Sequence, residues 1–164
     1  MSKRKIQIEQ MQRFIRTSLE LIGLASEDRV DLMYCIGIIE SRYKYIYEWG
    51  YGTARSFWQV EPGTAYDNFE NYLNYKSELK NKILSICRLQ ENDVDSISKI
   101  TVLLEINMRF ALYMASIWIK RNKEPLPPAN NKRKQGIYWD NHYNHPLKGL
   151  TAKDFVKAVK EFEA

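Results

Sequence analysis

The chain is short of the residues that staple or ligate. Cysteine occurs twice in 164 residues, as Cys35 and Cys87. Both lie in apolar stretches with helical spacing, so they read as small buried hydrophobes and not as a disulfide framework. Histidine also occurs twice. His142 and His145 lack further ligands at a usual zinc spacing, so neither a metal nor a cofactor is expected. No clean apolar run crosses a bilayer's width. The most apolar span, Ile100 to Ile119, is interrupted by Glu105, Asn107 and Arg109. The first ten residues are basic but have no apolar core, so no secretory signal is expected in them. Internal repeats and low-complexity tracts are missing too. A hydrophobic share of 45% beside a charged share of 27% excludes disorder as a description of the whole.

What is present suits one domain spanning 1–164, long enough to bury a core without staples. Aromatics are plentiful, with 11 tyrosines and 4 tryptophans. Most belong in the core, but such rings also suit a surface that stacks on flat ligands such as sugars. The net charge of +5 favours anionic partners, whether cell wall, nucleic acid or acidic membrane. The basic residues are dispersed. Lys3-Arg4-Lys5 and Lys132-Arg133-Lys134 are too short to specify nucleic acid and read as solvated faces.

Hydrophobic periodicity predicts a mainly α fold. Ile8, Met11, Phe14, Ile15, Leu19 and Ile22 form a helical stripe that Gly23 ends. A second helix starts near Ser26 or Asp28 and is apolar nearly all round through Ile39, which marks it as buried. From Tyr43 to Arg55 the pattern breaks into a loop or a short β-hairpin. Pro62 opens the next helix, and another covers Ser77 to Leu89. Asp95 or Ser96 then opens one long apolar helix through Trp118. Glu124 to Pro128 is a stiff connector, Asn131 to Asn144 is helical, and Thr151 starts a last helix to Phe162.

One stretch carries chemistry. Gly37-Ile38-Ile39-Glu40-Ser41 is followed by Thr53-Ala54-Arg55-Ser56-Phe57-Trp58-Gln59-Val60-Glu61-Pro62-Gly63-Thr64-Ala65. Glu40 closes an apolar run near a helix C-terminus. Burial and the helix dipole both disfavour its charge, which suits a general acid on a glycosidic oxygen. The plainer account is a structural ion pair with Arg42 or Arg55. Two-carboxylate glycosidases need a second acid, for which Glu48, Glu61 and Asp67 are in range by sequence; Glu61 also suits a helix start and Asp67 a solvent face.

This stretch resembles the active-site region of the soluble lytic transglycosylase and goose-type lysozyme superfamily. There a Glu-Ser pair closes a buried helix and is followed by a loop, a Gly-Leu-Met-Gln segment, Pro and Thr-Ala. Glu40-Ser41, Ser56-Phe57-Trp58-Gln59, Pro62 and Thr64-Ala65 stand in those places. Asn107, Ala111 and Tyr113 resemble the next family helix, and Tyr143-Asn144 its Ala-Tyr-Asn element; the similarity covers about two-thirds of the chain. More narrowly, Tyr138-Trp139, Tyr143-Asn144 and Pro146-Leu147 are similar in order to a group of small bacteriophage proteins. The resemblance implies a lysozyme-like fold with Glu40 as acid and then base. It also implies that Gln59 binds an acetamido or hydroxyl group, Ser41 supports the site, and Tyr143 orients the sugar. Trp58 is either a sugar-stacking face or a core side chain. Ser56-Phe57-Trp58 departs from the smaller family residues, which narrows or reshapes the cleft.

The implied activity is cleavage of the β-1,4 bond between N-acetylmuramic acid and N-acetylglucosamine by a phage lytic transglycosylase or muramidase. The expected partners are peptidoglycan glycan strands and other virion proteins, with no specific nucleic acid. The expected location is the virion, or the host cytoplasm before assembly. Transglycosylation needs one carboxyl group, which a lone Glu40 favours over hydrolysis. The rival is a virion structural or ejection protein that keeps the fold with little activity; a DNA-associated internal protein is a third reading, supported by charge alone.

Overall fold

The computed structural model describes Ser2–Ala164. It is mainly α, 69% helical, with eight α-helices and no strands among the described residues. In chain order these are α1 (Lys3–Leu21), α2 (Glu27–Ser41), α3 (Pro62–Asn71), α4 (Ser77–Cys87), α5 (Ile97–Ile106), α6 (Met108–Lys120), α7 (Lys132–His142) and α8 (Ala152–Glu163). The helices fall into two compact units. One comprises the chain up to Arg42 together with Asn122–Ala164; the other is Tyr43–Arg121.

In the first unit, α2 packs against α1 and α8, and α7 against α8. Gly23 takes a left-handed φ of 72° just beyond α1, the conformation that glycine accepts most readily. The Ser26 hydroxyl accepts the Arg29 N–H at 3.1 Å and starts α2. From Arg29 to Ser41 no residue of α2 is exposed, so its polar side chains need partners inside the protein. Asp31 has them. Its carboxylate accepts the Asn130 N–H and the Gln135 amide, each at 2.7 Å, and the Lys132 ammonium at 3.2 Å. Lys132 also lies 3.2 Å from the Cys35 thiol, which burial pushes up to about 12. Cys35 and Cys87 are both free and buried. At the α7–α8 crossing, a Cβ on Gly136 would lie 2.8 Å from the Ala152 carbonyl oxygen and 3.3 Å from the Phe155 ring. The missing side chain lets the two helices approach, with Trp139 and Phe155 packed at 5.6 Å between ring centroids. The Thr151–Asp154 capping box begins α8.

In the second unit, α3 packs on α5 and α6, and α4 on α6. Phe69 and Phe110 stack at 6.2 Å between centroids. Buried Asn68 donates to the Met114 carbonyl at 3.0 Å and accepts from Arg121 at 3.1 Å. The single long helix expected through Trp118 is instead two helices, α5 and α6, bent by 116°. Asn107 makes the break. Its backbone is extended, and its side chain accepts the Phe110 N–H at 3.0 Å as the cap of α6. Apolar residues continue on both sides of Asn107, which hid the break from periodicity. No single helix among the described residues is long and apolar enough to cross a membrane. Between Tyr43 and Val60 the hairpin option reduces to two isolated bridges, Tyr47 with Arg55 and Arg55 with Val60.

Two outcomes are expected. Gly136→Ala should destabilise by about 1–3 kcal/mol, because overpacking exceeds the roughly 1 kcal/mol that alanine gains in a helix. Urea unfolding reads this, and a stabilised variant contradicts the close approach. For Asp31, burial opposes the charge, but Asn130, Gln135 and Lys132 outweigh it and hold the carboxyl below its ordinary value. A depressed folded pKa stabilises above the unfolded value, and that contribution is lost as pH falls through the folded one. Asp31→Asn should therefore cost about 1–3 kcal/mol at pH 7. The gap to wild type should shrink below about pH 4. Parallel denaturation curves at the two pH values measure it; a gap independent of pH contradicts the assignment.

Candidate active site

Glu40 is the penultimate residue of α2, and its side chain is only 3% exposed. A carboxylate this buried needs donors. The Trp139 indole N–H donates to Oε1 at 2.9 Å, and the Lys148 ammonium donates to Oε2 at 2.7 Å. Trp139 is fully buried on α7, so its ring is a fixed wall for the carboxyl group. Lys148 comes from the short 3-10 turn Pro146–Lys148, which Gly149 closes in a left-handed conformation. Tyr143, the C-cap of α7, belongs to the same cluster: burial first, and the Glu40 charge second, push its hydroxyl well above its ordinary value. Ser41 is buried, and its hydroxyl donates to the Gly37 carbonyl at 3.1 Å. Glu40, Ser41 and Tyr143 thus share one unit and one end of α2.

The ion pairs considered for Glu40 from sequence go elsewhere. Arg42 pairs with Glu161 at 3.0 Å, and Arg55 with Glu105 at 2.9 Å. Trp139 and Lys148 complete the site beyond the residues expected from sequence. Trp139 carried a signal in the Tyr-Trp motif; Lys148 carried none, because its meeting with Glu40 spans more than a hundred positions.

Trp58 and Gln59 belong to the second unit. The stacking option for Trp58 is corrected: the ring is 0% exposed and offers no face to a sugar. It is a core side chain, packed edge-on to Tyr43 and Phe57. Gln59 is nearly buried, and its amide nitrogen donates to the Ser56 carbonyl at 2.7 Å. Ser56 and Gln59 both have positive φ, 74° and 47°, an uncommon state for non-glycine residues. The amide therefore closes a strained turn, and this bond uses a donor that a sugar would need. The three further carboxylates considered are also engaged locally. Glu48 accepts the Ala54 N–H at 3.0 Å, Glu61 accepts the Thr53 hydroxyl, and Asp67 pairs with Arg121 at 2.7 Å.

No protein-family model, curated protein or solved structure matches the chain.

The geometry assigns Lys148 the task of balancing the Glu40 charge. Lys148→Met should destabilise by about 1–3 kcal/mol, since it strands a buried carboxylate. Glu40→Gln in the same chain should recover most of that loss, because the two side chains act as one unit. A double-mutant cycle in denaturant measures the coupling; additive losses contradict the pairing.

Proposed function

We propose that the chain is a peptidoglycan-degrading glycosidase with a lysozyme-like fold, of bacteriophage type, using Glu40 as its acid and base. The observation that carries this reading is a carboxyl group buried at the end of a buried helix, with Trp139 and Tyr143 close by. The order of Glu40-Ser41, Gln59, Pro62 and Tyr143-Asn144 along the chain supports it. In the first step Glu40 gives a proton to the oxygen between N-acetylmuramic acid and N-acetylglucosamine. It then takes one from the attacking hydroxyl, either water or the 6-hydroxyl of the muramic acid. The local engagement of Glu48, Glu61 and Asp67 favours the second route, which needs one carboxyl group. A glycan cutter of this type works on the cell wall, carried by the virion or made in the host cytoplasm before assembly.

At rest Glu40 sits beside an ammonium group, which favours the carboxylate. Acid catalysis requires that contact to open and the carboxylate to take up a proton from solvent before the glycosidic bond breaks. The same contact supports a second reading, in which the ion pair is permanent and the chain is a virion structural or ejection protein with this fold.

Glu40→Gln distinguishes the two. Under the enzymatic reading, clearing of purified peptidoglycan falls by about 10²–10⁴ while the chain stays folded. Equal clearing by variant and wild type excludes Glu40 as the acid. Clearing by neither supports the structural reading.

A further inference from the structure

Large aromatics on a folded surface are ordinary when scattered and informative when contiguous. Between Tyr45 and Tyr51 every second residue is an exposed ring: Tyr45 at 42%, Tyr47 at 60%, Trp49 at 78%, and Tyr51 fully exposed. Tyr45 and Trp49 meet edge to face at 5.8 Å between centroids. Tyr51 holds a left-handed φ of 66° with its ring in solvent, so no packing of that ring offsets the conformation.

The loop beneath these rings is tied by hydrogen bonds at Ile46, Glu48 and Arg55. The Ser56 N–H donates to the Ile46 carbonyl at 2.8 Å. Glu48 folds into the space left by Gly52 and accepts the Ala54 N–H. The Arg55 guanidinium lies 5.2 Å from the Tyr47 ring centre, donates to the Gly52 and Ala54 carbonyls, and pairs with Glu105. Rings on a pre-ordered loop bind with little ordering cost.

We propose that Tyr45, Tyr47, Trp49 and Tyr51 form a stacking platform for a polysaccharide chain. The chemistry selects this occupant. Tyrosine and tryptophan combine a flat apolar face with a polar edge, which matches a pyranose ring's C–H face and hydroxyl rim. The charges in the loop are nearly balanced: Lys44 and Arg55 against Glu48, with Arg55 already held by Glu105. That suits an uncharged polyhydroxylated ligand. An anionic bilayer or nucleic acid calls for a basic cluster, which this loop lacks. Stacking, which buried Trp58 cannot provide, falls to rings earlier in the chain. The choice of wall glycan as the polysaccharide rests on the proposed function; the platform itself does not.

The test uses the full chain with Glu40→Gln, so that nothing is digested during binding. Insoluble purified peptidoglycan is pelleted with the protein, and binding of N-acetylglucosamine oligosaccharides is titrated by calorimetry. Adding Trp49→Ala and Tyr51→Ala should weaken both by about tenfold or more with an unchanged melting temperature. Tyr75→Ala, which removes an exposed ring outside the loop, should change neither. Undiminished binding by the loop variant overturns the platform. So does failure of the unsubstituted loop to bind either glycan, or loop-dependent binding to anionic lipid vesicles in their place. Clearing by wild type is scored separately: loop-dependent binding without clearing keeps the platform and removes the catalytic reading.

Discussion

The first unit depends on one constraint: α2 has no solvent face from Arg29 onward, so each polar group it carries must be satisfied from within. The partners of its two carboxylates come from one later stretch of chain. Asn130, Lys132 and Gln135 meet Asp31 near the start of the helix, and Trp139 and Lys148 meet Glu40 near its end. The segment from 130 to 148 is therefore tied to α2 at two points. Gly136 lies between them, where it lets α8 close over α7. Burial makes these contacts matter. A surface ion pair contributes little, whereas a stranded charge in a side chain as enclosed as Glu40 is costly.

The second unit meets its local demands differently. Asn107 and Asn68 use their amides to turn and join helices. Gln59 closes a turn whose backbone is already in an uncommon conformation. The Tyr43–Val60 stretch is held by side chains bonded to backbone, with only isolated bridges in place of a ladder. That scaffolding leaves the aromatic rings free to face outward.

Much of the helical plan is legible in the residues themselves. Ser26, Pro62, Ser96, Asn131 and Thr151 all stand at helix starts, where short polar side chains or a missing N–H belong. The apolar girth of α2 announced its burial. Asn107 was not legible as a break, because capping depends on a change of chain direction that an unbroken apolar pattern conceals. The end of α2 was legible as a place for a buried carboxyl group, but its company was not: Lys148 is brought there by tertiary packing. The role of Trp58 could be decided only by its exposure, since a tryptophan in a core and one in a cleft look alike in a sequence.

In the proposed account, the Glu40 carboxyl group is a proton carrier held in reserve by an ammonium partner, and the rings of the 45–51 loop hold a glycan. The most direct measurement is mass spectrometry of the soluble products from purified peptidoglycan. The account predicts disaccharide-containing fragments that end at muramic acid, in the 1,6-anhydro form if the sugar's own hydroxyl attacks. It predicts that Glu40→Gln suppresses them. Fragments cut only in the peptide stems, or glycan fragments released equally by Glu40→Gln, would contradict it.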